Sequence, residues 1–329
     1  MSWKGKVLVT GAGGFIGSHL AEELVRRGAS VRAMVHYNSR NDWGNLELLP
    51  DDVRKKLEII RGDIRDPFFT KKAVEGCDVV FHLAALIAIP YSYIAPRDFV
   101  DTNVSGTLNI LQACLETSVK KVVHTSTSEV YGTAIYTPID ENHPLQGQSP
   151  YSATKIAADK IAESYYRSFD LPVATIRPFN TFGPRQSARA VIPTIVTQIL
   201  SAKDKIQLGL LTPVRDFTYV KDTVEGFIKV AESKKSVGEV INTGTGRGVT
   251  IDELARLIMN LVGKEVKIER DKRRLRPPKS EVMALICANK KAKKLLGWAP
   301  RYSLKDGLKE TIEFIRKHIE EYKADVYNI

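Results

Sequence analysis

A tyrosine and a lysine at helical spacing are the residues of this sequence with the clearest chemical potential. Tyr151 and Lys155 stand at the start of a segment whose apolar positions recur with the period of a helix. Residues four apart share one face of a helix, so we expect the Lys155 ammonium to lie beside the Tyr151 phenol and to lower its pKa from about 10 toward the operating pH. The pair predicts a tyrosine that acts as general base. Because this spacing also occurs by chance, the prediction depends on the motifs that accompany it.

A glycine-rich turn near the start of the chain predicts a dinucleotide site. An apolar strand pattern ends at Thr10 and is followed by GAGGFIG and then by a helix with an apolar stripe. In that setting the glycines allow a tight turn, a close approach of the backbone to a pyrophosphate and close packing of helix on strand, while the helix N-terminus supplies N–H donors. The residues of this turn predicted to contact the cofactor are Gly11, Gly14, Phe15, Ile16 and Gly17.

The end of the second predicted strand bears on the choice of cofactor. An acidic residue that binds the adenosine ribose is expected there, but the sequence reads MVHYN. NAD is the expected cofactor. NADP stays open, because His36 and Arg40 would tolerate its 2′-phosphate. Asp63 and Ile64, directly after the third strand, are predicted to contact the edge of the adenine, although an ordinary turn aspartate would look the same.

Strand and helix patterns alternate from the first residues onward. Each strand is a near-continuous apolar run, as expected when both faces of a sheet are covered. The alternation predicts an α/β fold, a doubly wound parallel sheet of the Rossmann type. The predicted strands are 6–10, 30–35, 57–61, 78–83, 120–126, 172–177 and 239–243.

The second half of the chain is less regular. Prolines and glycines interrupt it after Arg177, and helical periodicity returns only at 251–262 and 304–319. We therefore expect two domains, the second one smaller and binding the substrate. The cofactor domain is predicted over 1–178 with a returning segment near 215–245, and the substrate domain over 179–214 and 246–329.

The composition excludes several classes of protein. Of 329 residues, 43% are hydrophobic and 26% charged, which is typical of a globular chain and unlike disordered or collagen-like sequences. The cysteines Cys77, Cys114 and Cys287 are far apart and form no C-x-x-C pair, so we expect no disulfide and no metal site. The N-terminus lacks a signal-peptide pattern, and the longest apolar run, 79–90, is too short to span a bilayer. A cytoplasmic protein without a membrane partner is expected.

The net charge of +11 favours an anionic partner, either a polyanion or a small substrate. Much of the excess lies at 264–279 and 290–294, and the second stretch resembles the solvated face of a short helix. No aromatic residues interleave with these basic residues as stacking platforms for bases would. We therefore expect solvated surface and no nucleic-acid partner.

Together the motifs resemble the extended short-chain dehydrogenase/reductase family that acts on nucleotide sugars, over essentially the whole chain. The resemblance implies a catalytic core of Thr127, Tyr151 and Lys155, with the last two also contacting the cofactor. It further implies that Leu83-Ala84-Ala85 lines the cofactor and that Asn103 supports the site. Bidentate arginines suit an anionic diphosphate, although a single arginine could equally form a surface ion pair. The residues predicted to bind the nucleotide-diphosphate sugar are Asn180, Arg185, Arg215 and Arg276.

Within the family, Glu129 narrows the reaction class. Simple 4-epimerases lack an acid at this position, whereas 4,6-dehydratases carry Thr, then Asp or Ser, then Glu, as in Thr127-Ser128-Glu129. A dehydratase needs a base for the C5 proton of a 4-keto sugar and an acid that helps the C6 hydroxyl leave. The resemblance gives Glu129 the first task. Ser128 stands where dehydratases of deoxythymidine sugars carry Asp, so the acid is Glu129 itself or a water held by Ser128.

The Thr-Ser-Glu form is shared by GDP-mannose dehydratases and UDP-glucuronate decarboxylases. Two further stretches, 85–93 and 184–193, resemble the bacterial GDP-N-acetylglucosamine 4,6-dehydratases of the legionaminic-acid pathway. We therefore expect an NAD-dependent nucleotide-sugar 4,6-dehydratase. The alternatives are a UDP-sugar 4-epimerase, a UDP-glucuronate decarboxylase and, from another class, a catalytically silent dinucleotide-sensing or nucleic-acid-binding protein. The resemblance also implies a homodimer formed through helices at 104–115 and 153–165.

Overall fold

A seven-stranded parallel sheet with helices on both faces forms the centre of the chain. The structure is a computed structural model that describes residues 5–201, 204–323 and 326–327. Residues 1–4, where the sequence lacks a signal-peptide pattern, lie outside the described residues. The strands, in chain order, are β1 (Lys6–Thr10), β2 (Ser30–His36), β3 (Leu57–Gly62), β4 (Val79–His82), β5 (Lys121–Thr125), β6 (Val173–Pro178), β7 (Thr181–Phe182), β8 (Lys205–Leu208), β9 (Val214–Arg215), β10 (Thr218–Tyr219), β11 (Val240–Thr243), β12 (Val249–Thr250), β13 (Lys267–Arg270) and β14 (Ala284–Leu285).

Helices connect the strands of the central sheet and form most of the later part of the chain. The helices, in chain order, are α1 (Phe15–Arg26), α2 (Asp51–Arg54), α3 (Pro67–Val74), α4 (Ile89–Ile94), α5 (Pro96–Phe99), α6 (Gly106–Glu116), α7 (Pro150–Phe169), α8 (Val191–Leu200), α9 (Val220–Glu232), α10 (Ile251–Val262), α11 (Lys290–Leu296) and α12 (Leu304–Lys317). A π-helical turn over Val100–Ser105 continues directly into α6.

The order of the central strands is β11-β6-β5-β4-β1-β2-β3, and every neighbouring pair is parallel. The chain therefore winds outward in both directions from β1 and β4, and the fold is the predicted doubly wound α/β sheet. In such a sheet the crevice at the carboxyl ends of the strands, where the winding direction changes, is the usual place for a ligand. This crevice lies between β1 and β4.

Alternate residues of β1 explain why the sheet is covered on both faces. Val7 and Val9 belong to one buried apolar cluster together with residues of α1 and α9. Leu8 points the other way, into a second cluster formed with α6 and α7. Because successive strand residues point to opposite faces and both faces are buried, the strand reads as an unbroken apolar run.

Over the described residues, three small sheets lie in the second half of the chain, and one of them carries the predicted substrate residue Arg215. They pair β10 with β7, β12 with β9 and β14, and β13 with β8. Arg215 lies in β9, between β12 and β14. Sequence patterning predicted none of these short strands except through the general expectation of an irregular second half. It did predict α10, α12 and the short basic helix α11.

None of the helices in the described ranges is both long enough and apolar enough to span a bilayer. Over the same ranges, no group of three or more His, Cys, Asp or Glu side chains is arranged to hold a metal ion. Cys77, Cys114 and Cys287 are buried free thiols.

Candidate active site

The glycine-rich turn lies at the carboxyl end of β1 and approaches the end of β4 closely. Gly11 has a φ of +68°, and a Cβ on it would lie 2.9 Å from the backbone nitrogen of Ala84. A Cβ on Gly17 would lie 2.2 Å from the carbonyl oxygen of Gly11, so only glycine lets α1 pack this closely on the turn. Helix α1 begins after its N-cap Gly14, with Phe15 and Ile16 as its first residues.

Thr10 joins the turn to the segment after β4. Its Oγ1 accepts hydrogen bonds from the backbone nitrogens of Leu83 at 3.1 Å and Ala84 at 3.0 Å. The two strand ends thereby border a cleft of about 380 Å³. The lining residues are Gly11, Met34, Val35, His36, Gly62, Asp63, Ile64, Arg65, Ala84, Ala85, Leu86, Tyr91, Asp98 and Thr102.

A charged group stands at the end of the cleft formed by β2 and β3. Asp63 accepts a 2.6 Å hydrogen bond from Nη2 of Arg65 and lies 3.3 Å from Nε2 of His36. Burial alone would raise the pKa of Asp63, but the hydrogen bonds and charge of Arg65 outweigh it and lower the pKa. Asp63 is therefore a carboxylate that faces the cleft. Sequence reasoning missed Arg65, which only its position two residues after Asp63 could have indicated.

Tyr151 and Lys155 lie in the first two turns of α7, whose start the sequence specifies. Ser149 caps the helix through a reciprocal capping box with Ser152, and Pro150 occupies the first turn. Both Tyr151 and Lys155 are buried. The Tyr151 ring packs edge-on against Phe99, with 6.3 Å between the ring centroids.

The electrostatics of this pair differ from the sequence-based expectation. Burial raises the pKa of Tyr151, Glu129 raises it further, and a hydrogen bond from Thr127 lowers it without reversing the shift. The Lys155 ammonium is directed instead at the carbonyl oxygen of Thr125, at 2.6 Å. The prediction that Lys155 lowers the pKa of Tyr151 is therefore wrong for this arrangement, because the lysine is bound to a strand carbonyl.

The end of β5 supplies the neighbouring polar group. Thr127 caps a 3₁₀ helix over Ser128–Tyr131, and its Oγ1 accepts a 3.2 Å hydrogen bond from the backbone nitrogen of Glu129. Ser128 is buried, and the Glu129 side chain is 13% exposed. The structure thus brings Thr127, Glu129 and Tyr151 together at one end of the sheet.

Asn103 connects the segment after β4 to α7. Its Oδ1 accepts from the backbone nitrogen of Leu86 at 2.8 Å, and its Nδ2 donates to the Leu86 carbonyl at 2.9 Å and to Oγ1 of Thr154 at 3.1 Å. It lies in the π-helical turn before α6, a distortion that is frequent at functional sites. Asn103 therefore holds the wall of the cleft against the helix that carries Tyr151.

Glu129 belongs to a cluster of two arginines and two glutamates. Nη1 of Arg276 lies 3.9 Å from a carboxylate oxygen of Glu129 and 3.9 Å from one of Glu281. Nη2 of Arg215 lies 3.4 Å from Glu281. Burial and the charge of Arg276 lower the pKa of Arg215, and the two glutamates oppose that shift. Glu281, which the sequence reasoning missed, is the carboxylate shared by both arginines.

An unpaired guanidinium nitrogen marks this cluster as a place for an oxygen-rich anion. Nη1 of Arg276 is buried and forms no hydrogen bond, although it lies between two carboxylates. Oδ1 of Asn180, in the turn between β6 and β7, is also buried and unpaired, but as an acceptor it requires a hydrogen-bond donor. Buried polar atoms are almost always satisfied in folded proteins, so exceptions of this kind indicate a ligand position.

Arg185, also predicted to bind the diphosphate, has hydrogen-bond partners in α1 and in the segment after β2, and its contact with the diphosphate stays a prediction. Its Nη2 donates to Glu22 of α1 at 2.7 Å, and its backbone carbonyl accepts from Nδ2 of Asn45. The residue has a φ of +67°, which turns the chain toward α1. Arg185 therefore ties the segment after β7 to the cofactor helix.

Comparison with known proteins identifies the family. A profile described as GDP-mannose 4,6 dehydratase matches residues 8–311. The mouse dTDP-D-glucose 4,6-dehydratase is 31% identical over 333 residues, which cover 98% of this chain and 92% of the relative. The chain belongs to the nucleotide-sugar epimerase/dehydratase family.

Members with different activities are about equally similar to this chain. The UDP-glucose 4-epimerase of Mycolicibacterium smegmatis is 33% identical, with 94% of this chain and 98% of the relative covered. The solved structure of DesIV, a dTDP-glucose 4,6-dehydratase from Streptomyces venezuelae with NAD bound, has a TM-score of 0.87 and 29% identity, and the match covers 97% of this chain and 99% of that one. Overall similarity therefore shows an enzyme of this family without separating dehydration from epimerisation.

The residues present fit a dinucleotide of the kind this family uses. Gly11 and Gly17 let the turn pack closely on the segment after β4 and on α1, so that the N-terminus of α1 stands at the cleft, where its N–H groups can bind a pyrophosphate. The cleft beside it extends to Asp63, whose carboxylate can accept hydrogen bonds from an adenosine group.

Proposed function

We propose that this family member is an NAD-dependent 4,6-dehydratase that converts a nucleotide-diphosphate N-acetylglucosamine into its 4-keto-6-deoxy form. The observation that carries the proposal is Glu129, which lies in the 3₁₀ helix capped by Thr127 and whose negative charge raises the pKa of the Tyr151 phenol. A 4-epimerase needs no carboxylate there, whereas removal of the C5 proton does. The resemblance of 85–93 and 184–193 to dehydratases of N-acetylglucosamine supports the sugar.

The chain's own residues have separate tasks in this reaction. Bound NAD would supply the hydride acceptor for C4 and the hydride donor for C6, so that no net oxidant would be consumed, and the turn at Gly11 and Gly17 together with Asp63 would hold it. Tyr151, as the phenolate, takes the proton of the C4 hydroxyl, and Thr127 orients that hydroxyl.

Glu129 takes the C5 proton, and the C6 hydroxyl leaves as water with a proton from Glu129 itself or from a water held by Ser128. When the hydride has returned to C6, Glu129 returns a proton to C5, and the proton taken by Tyr151 is released to water, which resupplies Glu129. Arg215 and Arg276 hold the diphosphate, with Asn180 beside them.

The mass of the product tests this function. The purified protein is incubated with UDP- and GDP-linked glucose, mannose, N-acetylglucosamine and glucuronate, and the products are analysed by mass spectrometry. We expect loss of one water from an N-acetylglucosamine nucleotide. Loss of carbon dioxide would indicate the decarboxylase, and a change of stereochemistry without a change of mass would indicate the epimerase. Absence of turnover with every sugar, together with tight RNA binding, would favour a catalytically silent, nucleic-acid-binding protein.

A 4-epimerase is the second candidate, because an epimerase is among the most similar relatives. It would use Tyr151 and the bound nicotinamide in the same way but would leave the C5–H bond intact. The presence of Glu129 argues against it, since the carboxylate would then have no chemical task.

Retention of the cofactor is a prediction of this cycle. Because each turnover returns the hydride, the reaction does not require release of the dinucleotide. Protein purified without added nucleotide is expected to release NAD on denaturation, measured by chromatography of the supernatant. The same assay decides between NAD and NADP, which the His36–Asp63–Arg65 group leaves open. If active protein releases neither and depends wholly on added cofactor, tight retention is wrong.

The organisation of the enzyme belongs to the same proposal. We propose a cofactor domain over 1–178 with a returning segment near 215–245, and a substrate domain over 179–214 and 246–329. A homodimer through α6 and α7 is proposed as well, and the exposed Leu108 on α6 supports such a contact. The cytoplasmic location and the absence of a nucleic-acid partner stay predictions from the sequence.

A further inference from the structure

Tyr93, which no step above uses, contacts a part of the chain that is distant in sequence. It lies in α4, and its hydroxyl is 2.6 Å from Oγ of Ser280, within hydrogen-bond distance. The two residues are 187 positions apart. Ser280 is buried, whereas Tyr93 is 36% exposed. The hydrogen bond thus joins the helix after β4 to a turn in the second half of the chain.

Ser280 belongs to a turn over 277–281 that is directly connected to two members of the arginine and glutamate cluster. The backbone nitrogens of Ser280 and Glu281 both donate to the carbonyl oxygen of Pro277, at 2.8 and 3.1 Å. Pro277 and Pro278 restrict the backbone at the start of the turn, because the proline ring fixes φ. Arg276 directly precedes the turn and Glu281 is its last residue. A movement of the turn would therefore displace both cluster residues.

The carboxylates around Arg276 do not fix the position of its guanidinium. Nη1 lies 3.9 Å from Glu129 and 3.9 Å from Glu281, which is beyond hydrogen-bond distance, and it forms no hydrogen bond. Charges at this separation attract each other without the directional preference of a hydrogen bond. The position of the guanidinium therefore depends on the backbone that carries it.

Two hydrogen bonds from the first half of the chain hold the 277–281 turn. One is the contact of Tyr93 with Ser280. The other is donated by Nε2 of Gln148 to the carbonyl oxygen of Lys279 at 2.9 Å. Both come from elements beside the candidate active site, since Gln148 stands just before α7 and the first residue of α4 belongs to the buried apolar cluster that contains Tyr151. The turn is thus anchored to the elements that surround the proposed base.

We propose that Tyr93 is a positioning residue that holds Arg276 at the distance from Tyr151 that a nucleoside-diphosphate sugar requires. It acts through Ser280, whose hydrogen bond fixes the 277–281 turn against α4. A substrate that meets Tyr151 with its sugar and Arg276 with its diphosphate fits best when the separation of these side chains is constant. The proposal rests on the proposed function for the use of Arg276 as a diphosphate binder, but it does not depend on which reaction follows.

Affinity for a nucleoside diphosphate measures this role without turnover. The protein is saturated with NAD and titrated calorimetrically with UDP and with GDP, as wild type and as Tyr93→Phe, which keeps the ring and removes the hydroxyl. The Kd of the diphosphate that binds is expected to rise about three- to tenfold, as loss of one ordinary hydrogen bond would cause. In turnover, KM for the nucleotide sugar should rise similarly with kcat near wild type, because the diphosphate contact is made equally in the ground and transition states.

A double-mutant cycle tests whether the effect comes from this hydrogen bond. Ser280→Ala removes the partner oxygen, and it should raise the Kd as Tyr93→Phe does. The double variant should bind no more weakly than either single variant, because the same bond is removed in each. Effects that multiply in the double variant would show that the two residues act separately and would overturn the proposal. A lower melting temperature with unchanged Kd and KM in all three variants would also overturn it, since the contact would then serve stability alone.

Arg276→Gln distinguishes a failure of the positioning role from a failure of the diphosphate site. It is expected to weaken diphosphate binding more than Tyr93→Phe does, since it removes the charge itself. If Arg276→Gln weakens binding and Tyr93→Phe does not, the site stands and the positioning role is rejected. If Arg276→Gln binds like the wild type, or the wild type binds neither UDP nor GDP, the diphosphate site is wrong and the role of Tyr93 is rejected with it. The matched control Tyr165→Phe, which removes a tyrosine hydroxyl bound to Gln112, should leave the Kd unchanged.

Discussion

Replacing Tyr151 by phenylalanine is expected to lower kcat about 10²–10⁴-fold, the usual contribution of a positioned general base. Burial raises the pKa of this phenol, so the protein alone does not prepare the phenolate, and the positive charge that a bound NAD⁺ nicotinamide would add is needed to favour it. Phenylalanine keeps the ring and its edge-on contact with Phe99, so fold and cofactor content are expected to stay close to wild type. Turnover is measured with the nucleotide sugar found to react, and released NAD is quantified in parallel.

The matched control is Tyr165→Phe on the same helix. Tyr165 is also buried, and its hydroxyl donates to Oε1 of Gln112 at 2.7 Å, away from the cleft. Its loss is expected to reduce stability by about 1 kcal/mol and to leave kcat near wild type. Wild-type-like turnover by folded, NAD-containing Tyr151→Phe would remove Tyr151 from the role of base.

The central sheet could be predicted because each of its strands, and most helices between them, is indicated by the apolar pattern of one contiguous segment. The strand predicted at 6–10 is β1 itself, and the helix predicted at 251–262 is α10 with its capping box at Thr250 and Glu253. The helix α8 was missed because it is apolar on most of its circumference, whereas α9, which directly follows the two-residue strand β10, was missed although its apolar residues recur at helical spacing. Such short strands exist through pairing with distant segments, as Val214 of β9 does with Ala284, and periodicity carries no sign of it.

The residues of the site could be predicted where they belong to one contiguous motif. They were harder to predict where contacts between distant segments determine the position of a side chain. The turn at Gly11 and the start of α7 lie where spacing and capping place them. Arg185 was grouped with the substrate arginines by its neighbours in sequence, but its partner Glu22 is 163 residues away. The sequence around Glu281 contains no motif that would have indicated it, since its place in the site is defined by its ion pairs with Arg215 and Arg276. The direction of the Tyr151 pKa was missed because burial, which outweighs any charge on the helix face, cannot be read from spacing.

The expected result for Glu129→Gln is a nearly complete loss of water elimination. Glutamine keeps the size of the side chain and can still interact with Arg276, but it cannot accept the C5 proton. Because general-base catalysis contributes about 10²–10⁴-fold, elimination should fall by that order. Oxidation at C4 uses Tyr151 and is expected to persist, so the variant should accumulate reduced cofactor and 4-keto sugar. Absorbance of the nicotinamide and mass analysis of quenched single turnovers follow the two stages.

Solvent deuterium separates this role from every reaction that leaves C5 untouched. If Glu129 exchanges its proton with water, the 6-deoxy product that the wild type makes in heavy water carries deuterium at C5, as detected by NMR and mass. The atom added at C6 is expected to come from C4 of the substrate, because the nicotinamide holds it away from solvent. An epimerase would return a sugar without C5 deuterium.

The matched control for this substitution is Glu281→Gln, which changes the other carboxylate of the same arginine cluster. Glu281 lies 3.4 Å from Arg215 and 3.9 Å from Arg276, so its loss should disturb diphosphate binding and raise KM severalfold. Its product should still carry C5 deuterium, because the proposed base is intact. Undiminished elimination by Glu129→Gln, or a 6-deoxy product without C5 deuterium from the wild type, would reject Glu129 as the exchanging base. A similar rise of KM in both variants, with kcat near wild type, would assign Glu129 to substrate binding with the arginines instead.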